Sequence, residues 1–332
     1  MSIRTQGRDT TEHLRFLHTV ASLYHLEGKT QAEIAGMLNV SRSRVLRALH
    51  EARAVGIVQI SVVDPSRTDE SLAADLERDL DLGRAVVVAG HPEDPAFTRR
   101  RVGHAAAALL DETLPDDAAL GLGWGRTLYE VTQALEPRGP RNLRIVPLMG
   151  GLGQVAPSFQ VHEMARVCSE RFGGTWIPFF LPAIVESEET YAALMASADV
   201  AQVTNAWSSL DVALFGIGNI DLGRELQMLF AGYLDDATKQ RMREAGVVGD
   251  ICMHFYRSDG ACVEDALQYV VSIELERLRR VPHKVAVASG AEKAAAILGA
   301  VQGGYVDTLV TDVTAAREIL RLWQSRSQEV AR

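Results

Sequence analysis

The apolar positions change period along the first sixty residues. Leu14, Leu17, Val20, Ala21 and Tyr24 recur at the three- and four-residue spacing of one helix face, predicting a helix over about 10–26 that Gly28 stops. Thr30 and Glu33 make a T-x-x-E capping box, so a short helix follows with Ile34, Ala35 and Leu38 inward. Asn39 stands where a tight turn needs a left-handed residue. Ser41 offers a hydroxyl to cap the next helix, which runs from Arg42 to about Val55. That helix gathers Val45, Ala48, Leu49 and Ala52 on one side, with Leu46 at the edge and Ser43, Arg44, Arg47 and His50 opposite. Gly56 ends it, and residues 57–62 alternate as a strand, the expected wing.

Beyond Asp64-Pro65-Ser66-Arg67, which breaks the strand and marks a boundary, the pattern changes. Leu72, Leu76 and Leu80 stripe one helix, for a core or an oligomer contact. Continuous apolar runs at 85–89, 118–122, 143–149, 212–217, 252–256, 285–288 and 308–310 read as strands. Helices are predicted at 99–114, 127–135 and 157–172. Fully apolar strands alternating with helices imply a mostly parallel sheet covered on both faces. The expected fold is therefore α/β: an N-terminal winged helix-turn-helix over 1–63, a linker and first helix over 64–84, and a Rossmann-like effector and oligomerisation domain over 85–332.

Charge sharpens the division. Residues 1–63 carry eight Lys and Arg against five Asp and Glu, within a chain of net charge −9. The acidic remainder repels phosphates, so DNA contact belongs to the N-terminal part. An Arg-rich face on a capped helix is what a recognition helix requires; Ser43, Arg44 and Arg47 can each meet bases or phosphates, and His50 a phosphate or only solvent. Thr30, Gln31, Ser41 and Arg42, at the helix starts, complete the candidate interface with double-stranded operator DNA. A solvated arginine face is the bland alternative, but the two caps, the turn Asn and the position in the chain agree on DNA binding. No apolar run is long enough to span a bilayer, and the first residues lack an apolar signal core, so a cytoplasmic protein is expected. Cys168, Cys252 and Cys262 show no metal-ligand spacing, and buried thiols are expected.

Four predicted strand ends carry glycine-rich or polar turns: 121–127 (GLGWGRT), 149–153 (MGGLG), 216–218 (GIG) and 289–293 (SGAEK). Ligands of open parallel sheets bind at such ends. Gly121, Gly123 and Gly125 let the backbone approach a ligand beside Trp124, and Thr127 can cap the following helix, whose N–H groups attract an anion. Lys293 is one of four lysines among 34 basic residues, and a compact ammonium suits phosphate at close quarters. The first turn matches neither G-x-G-x-x-G nor G-x-x-x-x-G-K-[ST], so neither NAD nor ATP is predicted. A small anionic or polyol ligand is, and no cofactor or metal.

In this order, GLGWGRTL at 121–128, VPLMGGLG at 146–153, DVALFGIG at 211–218, VGDI at 248–251, ASGAEKAAAI at 288–297 and LVTDVTA at 309–315 resemble the SorC family of sugar-responsive bacterial transcriptional regulators, over nearly the whole chain from about Leu14. The resemblance implies a sugar-binding domain related to phosphosugar isomerases, a sugar, sugar-alcohol or sugar-phosphate effector, and a homotetramer, a dimer of dimers. It further implies that Gly125, Arg126 and Thr127 hold a phosphate, that Lys293 neutralises it, and that Gln160 and Asp250 lie near the sugar. Gly150, Gly151, Asp211 and Gly218 join the candidate effector site through their motifs. Some phosphosugar-binding members carry Arg before the double glycine; this chain has Met149, which leaves room for a less anionic ligand. The competing reading is a sugar-phosphate isomerase with a DNA-binding head. It needs an acid/base pair such as Asp211 or Asp250 with a His, and the nine histidines show no motif spacing.

Overall fold

The computed structural model describes residues 3–58, 68–91, 93–137, 139–153, 159–219, 236–263 and 267–330. It divides into two compact units, Met1–Asp64 and Pro65–Arg332. In the first, α1 (Ile3–His25), α2 (Gln31–Met37) and α3 (Arg42–Ala54) enclose a core of Leu17, Val20, Ile34, Val45, Leu49 and Ala52. The junctions follow local rules. Thr30 and Glu33 close the capping box: Thr30 N–H donates to the Glu33 carboxylate at 2.8 Å, and Glu33 N–H to Thr30 Oγ1 at 3.3 Å. Asn39 is left-handed at φ 51° and Gly56 at φ 79°. Ser41 Oγ accepts from Arg44 N–H at 3.3 Å, capping α3. Of the expected wing strand, Ile57 and Val58 form a bend and the rest lies outside the described residues.

In the second unit α4 (Glu70–Leu80) packs on β1 (Arg84–Val88). A seven-stranded parallel sheet continues through β2 (Ala119–Leu122), β3 (Arg144–Pro147), β4 (Thr175–Trp176), β5 (Val212–Gly216), β9 (His283–Val287) and β10 (Thr308–Asp312). Its order is β1-β10-β9-β5-β2-β3-β4. Alternate strand residues face opposite ways. Leu120, Leu122, Val212, Leu214, Val285 and Val287 meet Val102 and Leu110 of α5 (Pro95–Thr113), Leu128 and Val131 of α6 (Arg126–Ala134), and Met164 and Phe172 of α7 (Val161–Phe172). Ala119, Ala213, Phe215, Ala286 and Leu309 meet the other layer, which includes α4, α9 (Ala198–Trp207), α12 (Ala294–Gln302) and α13 (Val313–Val330). Burial on both faces is why these strands read as unbroken apolar runs. The remaining short helices are α8 (Glu188–Met195), α10 (Asp236–Glu244) and α11 (Leu275–Arg279).

The run at 252–256 is not one strand. β6 (Gly218–Asn219), β7 (Val247–Ile251) and β8 (His254–Arg257) form a separate antiparallel sheet, and Cys252 and Met253 are the turn between β7 and β8, at φ 49° and 68°. Two consecutive positive φ values suit a tight hairpin. The reversal carries no Gly or Asn and sits inside an apolar run, so periodicity hid it.

Two consequences position the site. Because the strands are parallel, their C-terminal ends and the following loops share one edge of the sheet. In addition α5 and α6 are pressed together at Gly103, where a Cβ would lie 2.6 Å from Glu130 Cβ. Phe215 is fully buried in the middle of the sheet. Phe215→Ala should therefore cost about 3–5 kcal/mol, read from the urea midpoint of the second unit; a loss below about 1 kcal/mol would contradict its central packing.

Candidate functional site

The helical unit exposes Arg42, Ser43, Arg44, Arg47 and His50 along α3, with Ser41 as its N-cap, Thr30 as the N-cap of α2 and Gln31 opening α2. They are not equivalent. The Arg44 guanidinium lies over the Phe16 ring of α1, 5.0 Å from its centroid. Nearby, His13 of α1 and Glu51 of α3 are 2.7 Å apart. Arg47 Nε donates to the Ser43 carbonyl at 3.4 Å, which stretches the arginine along its own helix.

In the second unit a cavity of about 620 Å³ opens at the C-terminal edge of the sheet. Of the predicted effector residues, Trp124, Gly125, Arg126, Thr127, Gly218, Asp250 and Lys293 line it. α6 begins there at Gly125 (φ 149°) with no side-chain cap, so Thr127 is a first-turn residue and not the cap expected of it. The start of α6 thus turns backbone N–H groups and a positive dipole end towards the cavity. Lys293 closes a short turn, Ala291–Lys293, whose Glu292 carbonyl accepts from Asn219 Nδ2 at 3.1 Å. Burial pulls the Lys293 ammonium below the usual lysine range, while Asp250 and then Glu292 act to raise it and Arg126 to lower it further. Asp250 is the counterpart: burial pushes its carboxyl up, against Lys293 and the Met253 N–H. A Cβ on Gly218 would overlap that carboxylate, so glycine is what lets Asp250 lie against β6.

The other predicted effector residues lie elsewhere. Asp211 precedes β5 at the opposite edge of the sheet, where its carboxylate accepts from Ala119 N–H at 2.8 Å. Gly150 is packed so closely on Leu181 and Pro182 that a Cβ would come within 2.6 Å of the Leu181 carbonyl. Gly151 N–H donates to that same carbonyl at 2.7 Å. Gln160 closes this turn: its amide donates to the Leu152 carbonyl at 2.6 Å and its oxygen accepts from Leu152 N–H at 3.2 Å. Gly123 packs on Phe215. Of the thiols, Cys168 and Cys252 are buried but Cys262 is exposed, against expectation; burial pushes the Cys168 thiol up to about 12.

The match to known proteins accords with this geometry. A family model described as "Putative sugar-binding domain" covers residues 64–321, and one described as sigma-70 region 4 covers residues 14–55. The chain belongs to the SorC family of sugar-binding transcriptional regulators. It is 28% identical over 318 residues to the sorbitol operon regulator of Klebsiella pneumoniae, spanning 94% of this chain and all of that protein. The crystal structure of that full-length regulator superposes with a TM-score of 0.72 at 28% identity, covering 92% of this chain and 98% of the other. The deoxyribonucleoside regulator of Bacillus subtilis is 29% identical over 304 residues, spanning 90% of this chain and 95% of the relative. The transcriptional regulator LsrR of Klebsiella pneumoniae is 30% identical over 306 residues, spanning 91% and 92%. This SorC-family member is thus a DNA-binding transcriptional regulator whose helix-turn-helix is joined to a sugar-binding domain.

Sequence reasoning missed His91, Thr98, Arg99, Asp312 and Thr314, which also line the cavity. Arg99 stands one helical turn before Gly103 on α5, and Arg126 one turn before Glu130 on α6, so the tight crossing brings both to the cavity. Asp312 organises the edge: it accepts from Gly290 N–H at 2.6 Å, Thr314 N–H at 2.9 Å, Ala315 N–H at 3.3 Å and the Thr314 hydroxyl. It thereby fixes the turn presenting Lys293 and caps α13. An acidic residue ending an apolar strand just before a helix was the available signal. Asp312→Ala strands several N–H groups at a position only 1% exposed. It should cost about 1–3 kcal/mol in urea unfolding, whereas an unchanged midpoint would show that water replaces the carboxylate.

Proposed function

We propose that this regulator controls a carbohydrate or sugar-alcohol operon as a homotetramer in the cytoplasm, and that it catalyses nothing. Its effector is a sugar or sugar alcohol carrying one phosphate. The observation that carries this reading is the uncapped start of α6 facing the same cavity as Arg126, Lys293 and Arg99. A dianionic phosphate would sit at the helix start, with the cations around it. Asp250, next to Lys293, accepts from sugar hydroxyls. Towards β3 the lining turns apolar, with Met149, Ile217, Cys252 and Met253, so among the described residues a second phosphate finds no partner there. The relatives named for a sorbitol operon and for deoxyribonucleosides support a polyol or sugar ligand. Among the described residues no helix is long and apolar enough to cross a membrane.

The same geometry disfavours two of the groups that an isomerase could have used. Asp211, one acid/base candidate, is at the opposite edge of the sheet, and His254 is not among the residues that line the cavity. Burial pulls its imidazole down to about 4, and its ring is 2.9 Å from Ser272 Oγ. Control of DNA binding then comes from an effector that favours one arrangement of the assembled subunits over another. The paired heads meet a repeated or palindromic operator.

Four probes test the ligand reading by thermal shift: inorganic phosphate, sorbitol, sorbitol 6-phosphate and deoxyribose 5-phosphate. A phosphorylated probe should raise the melting temperature and Arg126→Gln should abolish the rise; no shift with any phosphorylated compound would sink the reading. Binding of that probe should also weaken with rising pH, starting below the ordinary lysine range. The protonated Lys293 attracts the anion, and burial makes it lose its proton early; Lys293→Arg should remove this alkaline limb in calorimetry. On the DNA side, Arg47→Ala should lower affinity for the operator by about tenfold or more while probe binding is kept. An unchanged footprint would show that α3 does not read the operator.

A further inference from the structure

We infer that Leu46 is a specificity-determining residue of the recognition helix, and that it reads the C5-methyl group of a thymine. Arg44 stacks on Phe16 at 5.0 Å, and Glu51 meets His13 at 2.7 Å. Both partners belong to α1, and Arg44 and Glu51 are seven residues apart, on one flank of α3. α1 stands beside that flank and engages both side chains, which stay exposed, so the flank of α3 left clear for a DNA groove is the other one.

Leu46 is on that other side. At 3.6 residues per turn it stands about 200° from Arg44 and about 140° from Glu51 around the helix. Ser43 and His50 lie within about 60° of it, and Arg47 about 100° away. The groove-facing surface is therefore Ser43, Leu46, Arg47 and His50, with Arg44 set aside. Leu46 is 44% exposed, although Val45, Ala48 and Leu49 on the same helix are buried. A large aliphatic side chain at the edge of Ser43, Arg47 and His50 has one apolar feature available on a major-groove floor, the thymine methyl. Covering that methyl removes apolar surface from water on both partners. Arg44, held by the Phe16 ring, instead keeps a fixed charge at the edge of the interface, where a phosphate is the anion within reach of an arginine.

The test uses the full chain and a duplex that it selects from a random library. Each thymine of the selected half-site is replaced in turn by uracil, which deletes the methyl group alone. The wild-type chain should lose about fourfold in affinity at one position, the worth of one methyl, and at the others stay level. Leu46→Ala should bind the thymine and uracil duplexes equally, and reselection with it should relax that base pair. Leu46→Met, which keeps an apolar tip, should retain the discrimination. Arg44→Ala should weaken all sequences alike and flatten the salt dependence. The melting temperatures of the Leu46 variants should match the parent. The inference is overturned if no uracil substitution weakens the wild-type chain, if the selected half-site holds no thymine, or if Leu46→Ala still discriminates. It is equally overturned if Arg44→Ala relaxes a base pair.

Discussion

The cavity of the second unit depends on one constraint: seven strands run in the same direction. In a parallel sheet every strand ends at the same edge, and several helices packed on it, α6 after β2 and α13 after β10 among them, start where a strand has just stopped. Backbone N–H groups, glycine turns and the positive ends of helix dipoles are thereby collected along one line. The sheet can remain parallel only if both faces are covered, because its strands are apolar on both sides. The two hydrophobic layers that provide this cover also set where α5 and α6 begin, and with them Arg99 and Arg126.

Within that edge the cavity is graded. Cations gather around the start of α6, a buried carboxylate lies beside Lys293, and the wall towards β3 is made of Met149, Ile217, Cys252 and Met253. Asp250 and Lys293 each suffer from burial and each relieve the other. An incoming ligand with one anionic end and several hydroxyls can take over part of that relief. Differential interaction of this sort is what a ligand needs in order to shift an equilibrium between two arrangements of a protein.

The two units ask different things of their polar residues. In the effector unit they are held in place by neighbours distant in sequence, as Gly290 is held by Asp312. In the helical unit the polar face of α3 is mostly exposed and is sorted by which flank α1 stands beside. Arg44 and Arg47 are three residues apart and chemically alike, yet one is stacked on an aromatic ring and the other lies along its own helix.

By itself the sequence determined the helix-turn-helix, because its signals are local. A capping box closes over three residues, a left-handed Asn needs only its own turn, and a helix face follows from the spacing of Val45, Ala48, Leu49 and Ala52. It likewise determined the parallel α/β class, since strands buried on both faces must be apolar throughout. Tertiary structure alone decided which glycine turns open to a ligand. The turns at 121–127 and 149–153 look alike as sequence, but Gly150 is packed under Leu181 and Pro182 whereas Gly125 starts an uncapped helix at the cavity. It also separated Asp211 from Asp250, which lie at opposite edges, and revealed Arg99 and the hairpin at Cys252-Met253. The hairpin is local, with pairs three to ten positions apart, but the other outcomes rest on contacts between residues tens of positions apart, and no local spacing encodes them.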